Sequence, residues 1–286
     1  MPDFLPLYQK LERSFSVAGY SQSTLTNYSR CLAQMAQYFN TNPVLLDEEQ
    51  VLDYLHYLKQ QKKTPSESLF KHTVYGLRYA YRMEGMKAKR VVLPSLERPK
   101  TLPVVLSKQE MRRLLLAPNL MRHRLIIGML YGCGLRCFEL CRLHIKDIDF
   151  DRLAVHVRKG KGRKDRYLPL SKHLARGLKV YLNNEHPAQW LFNGQDEGGQ
   201  KMPLSQKGVW WVVSHARKKA NLNKEVTTHT LRHTFATHLL EDGLDIVSIK
   251  ELLGHAHIET TLVYLHVSQM GRRKPFSPLD TLYPDK

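Results

Sequence analysis

The chain has 286 residues, 42% of them hydrophobic, and carries 44 Lys and Arg against 26 Asp and Glu, a formal net charge of +18. This length and apolar content support a buried core, which excludes a disordered chain and a crosslink-dependent miniprotein. No stretch reaches the roughly 20 apolar residues of a membrane span, and Met1-Pro-Asp-Phe has neither a basic start nor an apolar run, so a cytoplasmic protein with no membrane partner is expected.

The first 95 residues read as helical. A helix is expected near residues 4–18. Ser/Thr capping chemistry in Tyr20-Ser-Gln-Ser-Thr starts a second helix, whose Leu25, Tyr28, Leu32, Met35 and Phe39 recur at three- and four-residue steps. A third follows the acidic start Asp47-Glu48-Glu49 and carries Val51, Leu52, Tyr54, Leu55 and Leu58. Pro65-Ser-Glu opens a fourth with Leu69, Val74, Leu77 and Tyr81. Pro94, Pro99 and Pro103 then break any periodic pattern, which predicts an extended basic linker over 96–105.

Past the linker, Ser107 and Glu110 form a capping-box pattern, and helices are expected to about residue 143. Three β-type runs follow: Ile145–Phe150, Leu153–Arg158 and Arg166–Leu170. The last two are joined by Lys159-Gly-Lys-Gly-Arg-Lys-Asp and read as a hairpin. From Ser171 onward the pattern is again mainly helical, up to a tail with Pro275, Pro278 and Pro284. The expected fold is mainly α with a small antiparallel β-sheet (α+β), in two domains: helical over 1–95, mixed over 106–270, with a tail over 271–286.

The cysteines are Cys31, Cys133, Cys137 and Cys141. The last three stand at i, i+4 and i+8, which predicts small buried hydrophobes on one helix face. Three thiols without a nearby fourth ligand make a poor metal site, and a disulfide framework is not expected.

Residues 1–100 hold 14 basic and 9 acidic residues, a net +5, and the remaining 30 and 17 give +13 beyond them. A basic excess spread along the whole chain points to a polyanion, and nucleic acid is the partner whose bound counterions it would release.

Five segments carry candidate chemistry. Gly132-Cys-Gly-Leu-Arg136-Cys-Phe-Glu139 places an arginine at a helix start, where its fork can meet a phosphate. The hairpin tip carries Lys161 between glycines, with Lys159 and Lys164 beside it. Thr228-His229-Thr-Leu-Arg232-His233 sets His229 and Arg232 at i, i+3 on a helix N-terminus. Leu252-Leu-Gly254-His255 ends a helix. Thr260-Thr-Leu-Val-Tyr264 ends on one of 14 tyrosines. Read alone, each is a salt-bridged arginine, a solvated turn or a core aromatic.

Taken together, the order Arg136, Lys161, His229-x-x-Arg232, His255, Tyr264 resembles the tyrosine recombinase (phage integrase) family. The strings His229-Thr-Leu-Arg-His-Thr-Phe-Ala-Thr-His and Leu252-Leu-Gly-His-Ala-His-Ile-Glu-Thr-Thr-Leu-Val-Tyr264 carry the resemblance, which is to compact Xer-like resolvases and mobile-element integrases. It implies a SAM-like core-DNA-binding domain over 1–95 and a catalytic domain over 106–270. It implies a site-specific DNA recombinase in which Tyr264 is the nucleophile and forms a 3′-phosphotyrosyl link. Arg136, Arg232 and His255 would stabilise the phosphorane-like transition state, His229 would accept the phenol proton and Lys161 would protonate the leaving hydroxyl. Lys159 and Lys164 stay open as alternatives for the acid. Glu139 is read as support for the site and His233 as structural.

No cofactor and no metal is implied, because cationic side chains supply the charge. The implied partner is double-stranded DNA at specific recombination sites, held by a homotetramer with or without a second recombinase, and the tail is the candidate for exchange between subunits. The competing readings are a type IB topoisomerase-like enzyme and a catalytically silent DNA-binding accessory protein. All six catalytic positions are filled with the expected types, which weighs against the second.

Overall fold

The structure is a computed structural model that describes residues 4–60, 66–86, 88–89, 93–94, 102–158, 165–197 and 200–268. The chain divides into two units, Met1–Pro99 and Lys100–Lys286. No helix among the described residues is long and apolar enough to cross a membrane.

Among the described residues the first unit holds the helices α1 (Leu5–Val17), α2 (Gln22–Phe39), α3 (Glu48–Gln60) and α4 (Ser66–Met83). The Ser21 hydroxyl caps α2 by accepting from the Thr24 amide at 3.2 Å. Asp47 and Gln50 cap α3 reciprocally, at 2.8 and 3.1 Å. The apolar stripes close on one core that includes Leu11, Phe15, Leu32, Met35, Leu55, Leu77 and Tyr81.

The second unit begins with α5 (Lys108–Leu116), α6 (Met121–Gly132) and α7 (Cys137–Cys141). Both bonds of the Ser107–Glu110 capping box are present, at 3.2 and 2.7 Å. A 3-10 turn (Ile145–Asp147) leads into β1 (Ile148–Asp149), β2 (Ala154–Val157) and β3 (Arg166–Pro169), an antiparallel sheet in that order, with Val155 opposite both Ile148 and Leu168. Then come α8 (Lys172–Glu185), a second hairpin of β4 (Asn193–Glu197) and β5 (Gln200–Pro203), α9 (Gln206–Lys219), α10 (Thr228–Glu241), α11 (Ile246–Leu253), α12 (Glu259–Leu262) and a 3-10 turn over Val263–His266.

α10 is the central helix, buried on nearly every side, and it is held to the start of the unit by two polar contacts. The Leu106 amide donates to the Thr234 hydroxyl at 3.1 Å. His238 Nε2 donates to the Leu106 carbonyl at 2.9 Å, which fixes the tautomer, so Nδ1 accepts from the Tyr131 hydroxyl at 2.9 Å.

Three expectations are corrected. The run Ile145–Phe150 is not one strand: the Asp147 carboxylate accepts the His144 amide at 3.0 Å and winds the first half into a 3-10 turn, leaving a two-residue strand. The β4–β5 hairpin lies in a region expected to be helical, because Asn193-Gly-Gln-Asp-Glu has no apolar alternation to announce it. The three cysteines do not share a helix: Cys133 ends α6, while Cys137 and Cys141 lie on α7, separated by the Gly134-Leu-Arg136 turn. Cys133 and Cys141 are buried and Cys137 is half-buried.

Candidate active site

The Gly132-Cys-Gly-Leu-Arg segment turns because Gly134 adopts φ +60°, in the left-handed region. A Cβ there would lie 2.3 Å from the Phe235 ring, so glycine is needed for space as well as for backbone conformation. Gly134→Ala should lower stability by about 1–3 kcal/mol, since a core ring must move to admit the methyl. An unchanged urea-unfolding midpoint would refute that.

The turn places Arg136 at the N-cap of α7. Its amide donates to Glu139 Oε2 at 2.8 Å and its Nη1 donates to Glu139 Oε1 at 2.9 Å. On α10, Arg232 is only 4% exposed, and its Nη1 donates to the Gly134 carbonyl at 2.6 Å. Two backbone segments distant in sequence therefore converge on one pair of guanidinium groups.

The last turn of α11 completes the cluster. A helix C-terminus leaves carbonyls without intrahelical partners, and its macrodipole favours cations. Here three successive carbonyls each take a different arginine. Leu252 accepts from Arg166 Nε at 2.9 Å, Leu253 from Arg232 Nη2, and Gly254 from Arg136 Nη2 at 3.2 Å. Gly254 ends the helix at φ +60°, and a Cβ on it would sit 3.3 Å from the Arg166 side chain.

The charge at this point is three arginines less one carboxylate, 3 − 1 = +2. Burial opposes ionisation of Glu139, but the Arg166 and Arg136 hydrogen bonds outweigh it and hold the carboxyl at about 2. Burial, then the neighbouring Arg136, brings Arg232 down to about 9, still a cation at neutral pH.

His255 follows Gly254 and is half-buried. Burial, then Arg232 and Arg136, brings it to about 4, so its ring is neutral. The Thr261 hydroxyl occupies Nδ1 at 2.9 Å, which leaves Nε2 for a ligand.

Tyr264, in the final 3-10 turn, is 1% exposed. Its hydroxyl meets His233 Nδ1 at 3.0 Å. Burial raises the phenol above its ordinary 10, and Arg232 and Arg136 pull against that rise. Burial, then His229 and Arg232, depresses His233 to about 4. Burial thus disfavours the charged form of both groups, so the phenol and the imidazole meet as a neutral hydrogen-bonded pair. In this arrangement the His233 ring holds the Tyr264 hydroxyl in place.

Arg136, Glu139, Arg232, His233, His255 and Tyr264 thus stand within one another's electrostatic reach or hydrogen-bonding distance. His229 stands at the edge of this group, exposed in the first turn of α10, with its ring 6.5 Å from that of His233, whose charge it disfavours. Lys161, Lys159 and Lys164 lie outside the described residues. Sequence reasoning missed Arg166 and took His233 as structural. For Arg166 the strand alternation held the signal, since it shares a face with buried Leu168. For His233 the signal was its i, i+4 spacing from His229.

A family model for the phage integrase family matches residues 104–270, and one for the phage integrase N-terminal SAM-like domain matches residues 7–83. Tyrosine recombinase XerA of Thermococcus kodakarensis is 36% identical over 270 residues, covering 93% of this chain and 92% of the relative. A putative integrase/recombinase, y4qK, of Sinorhizobium fredii is 35% identical, covering 97% and 89%. A crystal structure of XerA recombinase is similar with a TM-score of 0.55 and 26% identity, over 99% of both chains. The chain belongs to the phage integrase family and is a tyrosine site-specific recombinase of the Xer-like type.

Proposed function

We propose that this recombinase cuts and rejoins double-stranded DNA at specific sites by the following division of labour. Tyr264 attacks the scissile phosphorus, forming a 3′-phosphotyrosyl bond and releasing a 5′-hydroxyl. Attack of a partner strand's 5′-hydroxyl then reverses the step, so the bond energy is kept and no other energy source is needed. Arg136 and Arg232 bind the non-bridging oxygens, and His255 adds a hydrogen bond from Nε2. His229 accepts the phenol proton once Tyr264 leaves His233, and Lys161 protonates the departing oxygen. Glu139 orients Arg136. These parts need neither metal nor cofactor.

The observation that carries this reading is the +2 cluster beside a tyrosine hydroxyl, since a phosphate diester supplies the anion the cluster lacks. The chain-wide charge of +18 supports a long contact with the DNA backbone. We place the working form in the cytoplasm as a homotetramer on two synapsed sites, with or without a second recombinase, joined through residues 271–286. We assign it to a mobile element, for integration, excision or resolution. The domain limits 1–95, 96–105 and 106–270 belong to the same proposal.

Mixing two differently labelled duplexes that carry the cognate site tests the function. Recombinant duplexes should form, in a complex whose size on gel filtration is that of four chains on two duplexes. Relaxation of supercoils without exchange would replace this reading with a topoisomerase-like one.

A further inference from the structure

We infer that Arg166 is a positioning residue for the phosphate-binding pair: by clamping Glu139 and the end of α11, it holds Arg136 and Arg232 in register for a phosphate. This rests on the proposed roles of Arg136 and Arg232.

Arg166 differs from the other two arginines in how its donors are used. A guanidinium has five N–H groups. Arg166 spends its Nε on the Leu252 carbonyl at 2.9 Å and both terminal nitrogens on Glu139, at 2.9 and 2.7 Å. That is a bidentate fork on a carboxylate, with the arginine side chain only 11% exposed and the carboxylate's 5% exposed. Among the described residues, Arg136 and Arg232 each make two such bonds, which leaves three N–H groups apiece for a phosphate. Arg166 is thus turned inward, while the other two keep capacity for a ligand.

The consequence runs through Glu139. Its Oε1 is shared by Arg166 and Arg136, so the carboxylate is both the counter-ion of the cluster and the bracket of Arg136. Without Arg166, a buried carboxylate keeps one fork partner, and burial then favours the neutral acid. A protonated Glu139 loses half of its hold on Arg136. The Leu252 carbonyl is orphaned at the same time, one residue from the carbonyl that anchors Arg232. Arg166 starts β3, where it pairs across the sheet with Val157, so the clamp also joins the sheet to α11.

The test measures formation of the covalent protein–DNA adduct on a nicked duplex carrying a site selected from a random-sequence pool by the Tyr264→Phe protein. Arg166→Met should slow adduct formation about 100-fold at pH 7, the cost of misplacing a binding group by about 1 Å. Its rate should also fall more steeply than wild type's on the acid side, as pH drops through the raised pKa of Glu139 in the variant, a titration added to that of the general base. Arg166→Lys keeps the charge without the fork and should recover part of the rate. Arg166→Met/Glu139→Gln should be no slower than Glu139→Gln alone, because both changes act through one carboxylate. A role in folding alone would give a pH-independent loss that adds to that of Glu139→Gln, and would overturn the inference. Wild-type rates in both Arg166 variants, with Arg136→Ala inactive, would also overturn it while leaving the site intact. Wild-type rates in Arg136→Ala would instead sink the reading on which it rests.

Discussion

Tyr264→Phe should abolish covalent attachment to a nicked DNA substrate and leave the fold and DNA affinity in place. The substitution removes one oxygen. Among the described residues that oxygen has a single partner, His233 Nδ1 at 3.0 Å, and the aromatic ring keeps its packing in the core. Loss of one hydrogen bond to a neutral imidazole costs about 1 kcal/mol of stability, which a domain of this size withstands. The chemical loss is total, because the substitution removes the attacking oxygen itself. The measurement is denaturing-gel mobility of labelled DNA, with binding followed separately by gel shift. Adduct formation by Tyr264→Phe would move the nucleophile elsewhere.

Arg232→Ala should reduce the rate of adduct formation by about 100- to 1000-fold, the scale for removal of one preorganised donor group at a developing oxyanion. It should also lower stability, since the Gly134 and Leu253 carbonyls lose their partner, at about 1–3 kcal/mol for each group left buried and unpaired. Arg232→Lys separates the two effects. A lysine restores the charge, but its point-like ammonium cannot bridge two carbonyls and a phosphate together. It should recover some affinity for DNA and little of the rate. A lysine variant with the wild-type rate constant would show that charge alone suffices. Burial, and after it the neighbouring Arg136, depresses Arg232 to about 9, and the negative charge of a phosphate diester would favour its cationic form.

Much of this was legible in the sequence, for stated reasons. The helices of the first unit follow from apolar spacing alone, and the Ser107–Glu110 box from two residue types at the right distance. Arg136, Arg232, His255 and Tyr264 were singled out as an ordered set by resemblance to a family, and the structure brings these four side chains together. For Arg166 the strand alternation pointed inward but not to what it meets. Its partners, Glu139 and the Leu252 carbonyl, lie 27 and 86 positions away, and one of them is a main-chain group that carries no sequence signature. The β4–β5 hairpin escaped because its strands are polar. The cysteine stripe misled because a three-residue break in a helix leaves an i, i+4, i+8 spacing intact on paper.

The three guanidinium groups share one datum, the final turn of α11. Their positional errors are therefore correlated. A tilt of α11 as a body carries Arg136, Arg166 and Arg232 along a common vector and preserves the spacing between them. Fraying of that last turn removes one anchor from all three at once, and leaves Arg136 and Arg166 on Glu139 and Arg232 on the Gly134 carbonyl. The arrangement tolerates rigid movement of the helix and is brittle to its local unwinding. A single residue there, Gly254, whose left-handed conformation ends the helix, governs the alignment of three side chains drawn from three different elements.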